Sequence, residues 1–116
     1  MRKIETAMNN AIIRLSESRR VDNWELDNTR VESDTSGSVF VYLHGNNIAF
    51  YDARIKQWKV NLCGWDSRTT RSRIGALCYR FSNKYTGVSS RKGITRLEGY
   101  AGEPSVIIES SGWNII

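Results

Sequence analysis

The sequence predicts a small α+β protein, residues 1–116 as one domain, in which an antiparallel strand meander carries two helices on one face. Three observations predict it. Apolar residues recur at helical spacing twice, once near the start and once in the middle. Between those stretches apolar and polar residues alternate in short runs broken by Gly, Asn and Ser. A β-rich run follows the second helical stretch. The fullest order is α-β-β-β-β-α-β-β.

The first helix is predicted over about residues 3 to 18. Ile4, Met8, Ala11, Ile12 and Leu15 form its buried stripe, and Ile13 lies opposite. Short strands follow. Trp24 and Leu26 alternate with Glu25 and Asp27, and Val31 continues after Asn28-Thr29-Arg30. Ser33 to Ser38 is a turn by composition. Val39, Val41 and Leu43 share one face of the next strand and Phe40 and Tyr42 the other, a pattern that predicts cover on both sides. His44-Gly45-Asn46-Asn47 is a hairpin turn, because Gly and Asn tolerate positive φ. Ile48 to Tyr51 returns, and Trp58, Val60 and Leu62 point inward on the strand after that.

Gly64 to Phe81 is the stretch on which the rest is organised. Asp66, Ser67, Thr69 and Thr70 are all able to cap a helix by accepting from free backbone N–H groups. Ile74, Leu77, Cys78 and Phe81 then make a buried stripe, flanked by Arg71 and Arg73, with Arg68 and Arg80 turned to water. Gly75 costs about 1 kcal/mol relative to Ala in a helix interior, which points to close packing or some local distortion there. Asn83 to Gly93 is polar. Gly93 to Tyr100 is a short strand, and Val106 to Ile108 the last β run. Gly112-Trp113-Asn114 echoes Gly64-Trp65-Asp66, but one echo makes no repeat.

The length suits one core. No apolar run approaches the roughly 20 residues of a membrane span, and Glu5, Asn9, Asn10 and Arg14 interrupt any signal-peptide core, so a cytosolic protein without membrane contact is expected. Cys63 and Cys78 sit in inward-packing segments and read as buried reduced thiols. Two cysteines and one histidine make no zinc site, and no cofactor is expected.

Charge is the informative property. The net value of +5 hides a strong asymmetry. Residues 22–52 carry one basic and six acidic groups, whereas residues 53–96 carry eleven basic and one acidic. The basic segment attracts polyanions unless the acidic one lies against it.

The sequence offers little catalytic chemistry. His44 is the single histidine and sits in a turn. No phosphate loop, no dinucleotide fingerprint and no carboxylate pair on one face is present, so an enzyme is not expected. The candidate site is the start of the second helix. There Arg68, Thr69, Thr70, Arg71, Ser72 and Arg73 combine cations and hydroxyls with the positive end of a helix dipole. Lys84, Arg91 and Lys92 extend it as a basic track, and Tyr79, Tyr85 or Trp65 would offer stacking surfaces, with Trp65 expected in the core.

Asn28-Thr29-Arg30-Val31, Val41-Tyr42-Leu43-His44-Gly45-Asn46 with Ile48-Ala49, Gly64-Trp65, and Thr69-Thr70-Arg71-Ser72-Arg73 together resemble a family of small tailed-phage proteins. The likeness covers roughly Asn28 to Leu77, and Ile4 to Ile12 is similar too. The chain departs from the pattern at Ser67 and at Ile74-Gly75 and has a longer C-terminal part. The resemblance implies a phage accessory protein made in the host cytoplasm and transfers no functional residue. Charge points to DNA or RNA as partner. The resemblance points instead to an inhibitor that blocks a host or host-defence protein, an acidic one by charge. A virion-associated part is a third reading.

Overall fold

A computed structural model describes all 116 residues. The α+β class holds, with two helices and antiparallel strands. The elements are α1 (Lys3–Ser18), β1 (Asp22–Leu26), β2 (Thr29–Ser33), β3 (Val39–Leu43), β4 (Asn46–Asp52) and β5 (Gln57–Val60). After these come α2 (Arg68–Phe81), β6 (Tyr85–Arg91), β7 (Ile94–Gly99), β8 (Val106–Ile108) and β9 (Asn114–Ile115).

The strands divide between two sheets. One is six-stranded in the order β1-β2-β3-β4-β5-β9, and the other is three-stranded, β6-β7-β8. All pairings are antiparallel. The meander of the first sheet follows from its turns. His44 and Gly45 both take positive φ, +50° and +80°, which a two-residue hairpin with the right twist requires. Lys92 and Gly93 repeat the device between β6 and β7, at +53° and +75°.

α1 and α2 cover the face of the large sheet that carries Val31, Val39, Val41 and Leu43, and the small sheet packs against α2. One cluster of 19 buried apolar residues includes Met8, Leu15, Val41, Val60, Leu77 and Leu97. It therefore draws on both helices and both sheets, and the two sheets share a single core. Trp58 stacks on Phe81 at 5.1 Å between ring centroids, locking the end of α2 to β5.

The opposite face of the large sheet is more open than the alternation of β3 suggested. Phe40 stacks on its cross-strand partner Phe50 at 4.9 Å, and both rings are only half-buried. The second helix ends at Phe81, so Tyr85 does not continue its stripe; it opens β6 and is buried there. Trp65 is 64% exposed rather than in the core, because the chain turns at positive-φ Cys63 and Gly64 and lifts it clear of the sheet.

Candidate functional site

Ser67 caps α2. Its hydroxyl accepts from the Thr70 N–H at 3.1 Å, and the two side-chain hydroxyls lie 2.9 Å apart. Asp66 is thereby left for another task. Its carboxylate accepts from the Thr95 hydroxyl on β7 and from Arg71 Nη1 at 2.7 Å. Burial pushes the Asp66 carboxyl up, but the Thr95 and Arg71 donors together outweigh it and hold the group below the usual range. This contact fixes the β6–β7 hairpin to the start of α2.

Three elements then enclose an open groove of about 710 Å³. Met1, Arg2 and Glu5 form one wall, and Thr86, Gly87 and Val88 of β6 the other. Between them α2 presents Arg68, Arg71, Ser72, Gly75, Ala76 and Tyr79. Arg68, Arg71, Ser72, Gly75 and Tyr79 recur at three- and four-residue spacing, so they make a second stripe, distinct from the apolar one. The floor is low because a Cβ on Gly75 would stand 3.6 Å from the Val88 backbone nitrogen.

The groove's charge is positive. Its only carboxylate, Glu5, is buried and fully engaged: Oε2 accepts from Arg73 Nη1 at 2.8 Å and from the Ser72 hydroxyl, and Oε1 from the Arg2 N–H at 3.3 Å. Arg71 is paired with Asp66. Arg2 and Arg68, both exposed, have no acidic partner.

The predicted track is therefore split. Arg68, Arg71 and Ser72 come together in the groove. Arg73 does not belong with them as an accessible cation. It is turned inward, donating to Glu5, to Thr29 Oγ1 at 3.0 Å and to Asn28 Oδ1 at 3.3 Å. Thr70 is buried and used in the cap, and Thr69 borders a smaller cleft beside His44 and Trp65. Arg91 and Lys92 are exposed at the hairpin tip, one residue beyond the Ser90–Thr95 pair that Asp66 holds, but they do not line the groove. Lys84 is exposed past the far end of α2, a helix about 20 Å long at 1.5 Å per residue that begins at Arg68. Sequence reasoning missed Arg2 and the β6 wall. Gly75 was the one available signal, since its cost in a helix pointed to close packing or a local distortion there.

The acidic strands do not cover these cations. Among residues 22–52 only Asp52 reaches the basic segment, pairing with Arg54 at 3.6 Å far from the groove; Glu32 pairs with Arg30 of its own segment. No group of three or more His, Cys, Asp and Glu side chains converges as metal ligands. No helix is long and apolar enough to cross a membrane.

The profile of one family, the Kyanoviridae Gp96 protein, matches residues 1–114. The chain belongs to the Kyanoviridae Gp96 family. It is accordingly a small phage-encoded protein, and the match extends well beyond the Asn28–Leu77 likeness to take in α1, β6 and the C-terminal strands that build and flank the groove. No curated protein and no solved structure matches the chain.

Proposed function

We propose that this phage protein is a non-enzymatic accessory protein of the host cytoplasm that binds nucleic acid through the groove between α1, α2 and β6. The single observation that carries the reading is the pair Arg2 and Arg68, two exposed side chains lining the same groove, one beside α1 and one on α2, with no carboxylate to neutralise them. Guanidinium is suited to phosphate because it donates two parallel hydrogen bonds to it. The helix dipole adds to the same field, since the first turn of α2 contains no acidic residue. Arg91 and Lys92 at the same end supply longer-range attraction.

The test is fluorescence anisotropy with labelled DNA and RNA across a salt series. Binding should weaken as salt rises, with a log–log slope of about −0.7 per contacted phosphate on single strands and about −0.9 on duplex. Arg68→Ala should flatten the slope by about one contact. Binding that ignores salt, or no binding to either polymer, would dispose of the proposal. A pull-down from host lysate with and without nuclease then separates a nucleic-acid partner from a host protein blocked by direct contact.

A further inference from the structure

We infer that the groove selects single-stranded nucleic acid, holding phosphates at Arg2 and Arg68 and an unpaired base against Tyr79. The inference rests on the nucleic-acid reading above and adds the class of strand. Three observations carry it.

Tyr79 is 67% exposed and belongs to no aromatic pair in the structure. Helical side chains lean toward the helix N-terminus over the residues three and four before them. For Tyr79 those are Ala76 and Gly75, so the ring leans along the groove floor toward Ser72 and Arg71 with no side chain at Gly75 beneath it. A flat hydrophobic face is thereby left open beside cations, the combination that stacks bases without regard to sequence.

The second observation is shape. The floor is backbone at Gly75 and the β6 wall is backbone at Gly87, and the volume, about 710 Å³, falls in the roughly 300–1,000 Å³ range of sites that enclose a small ligand. A duplex presents a convex surface of phosphates with its bases stacked inside. It reaches the walls of such a cleft but cannot deliver a ring to the floor. An unpaired strand can do both.

The third is spacing. From Arg68 to Tyr79 the stripe runs about 16 Å along α2 at 1.5 Å per residue. That length accommodates consecutive phosphates of an extended strand at the Arg68 end and its base at the Tyr79 end.

The experiment compares a labelled single-stranded DNA oligomer with a hairpin duplex of equal phosphate number, using the full chain. The single strand should bind at least tenfold more tightly. Tyr79→Ala should weaken single-strand binding about fivefold to a hundredfold, the range of one lost base stack, and leave duplex binding unchanged, while Tyr79→Phe retains affinity. Because Tyr79 is exposed, these variants keep the fold, which the far-ultraviolet spectrum checks. Equal, salt-sensitive binding of both forms, or an inert Tyr79→Ala, overturns the single-strand inference and leaves the nucleic-acid proposal standing. Failure of both DNA oligomers and of their RNA counterparts to bind overturns the two together.

Discussion

Arg73 Nη1 lies 2.8 Å from Glu5 Oε2, and each side chain is 3% exposed. The pair joins α2 to α1, and two further bonds from the same guanidinium reach Asn28 and Thr29 at the start of β2. Charges so deeply buried persist only when their hydrogen-bonding capacity is met. Here the ion pair is a structural tie beneath the groove, and it removes from the binding face both an acid and a base.

Removing one partner strands the other. Arg73→Ala should therefore cost about 3–5 kcal/mol in urea or thermal unfolding. Replacing both charges with apolar residues of similar volume, Glu5→Leu with Arg73→Met, should recover much of that loss. An Arg73→Ala protein within about 1 kcal/mol of the parent would show that the tie is not a structural one.

The Asp66–Thr95 contact predicts acid sensitivity. Because the folded Asp66 carboxyl titrates below its ordinary value, its contribution is complete above about pH 4 and is lost as pH falls through the lower folded value. Asp34, held down chiefly by the Ser36 hydroxyl, behaves in the same direction. Asp66→Asn should be less stable than the parent at neutral pH and should lose less stability between about pH 4 and pH 2. Parallel pH profiles for the two proteins would rule the contact out as a contributor.

These residues show what was legible in the sequence. The apolar stripes of α1 and α2 and the alternation of β3 to β5 are repeated local patterns, and they placed the helices and the meander. β6 was invisible because it lies at a sheet edge and offers only Tyr85 and Val88 to the core. Its signal was the Lys92-Gly93 turn. Two sheets were read as one, since sequence order does not say that α2 separates them. Arg73 stood one residue from Ile74 and looked like a flanking cation. Only a partner 68 positions away, Glu5, reveals it as interior. Long-range pairing of that kind leaves no local trace.

The thiols should be nearly inert in the native state. Burial pushes Cys78 up to about 12, and burial also raises Cys63, whose S–H donates to the Asn47 carbonyl at 3.0 Å. Reaction with a disulfide reagent near pH 8 should be slow for half-buried Cys63 and slower still for Cys78, with both titrating once the chain is unfolded. Rapid modification of either thiol in the folded protein would contradict the packing around it.

Two glycines make opposite predictions. A methyl on Gly99 would meet the Glu103 carbonyl oxygen at 2.5 Å and the Pro104 carbonyl oxygen at 2.8 Å, both backbone atoms, so the loop before β8 must move. Gly99→Ala should destabilise by about 1–3 kcal/mol. A methyl on Gly75 meets nothing nearer than 3.6 Å and sits inside a helix, where Ala is favoured by about 0.8–1.0 kcal/mol. Gly75→Ala should therefore raise the unfolding midpoint. Yet the added methyl stands on the groove floor beneath Tyr79, where a base would lie, so the same variant should bind single-stranded DNA less tightly. Stability and binding then move in opposite directions from one methyl group. A variant that gains stability with undiminished binding would locate the contact surface elsewhere on the molecule.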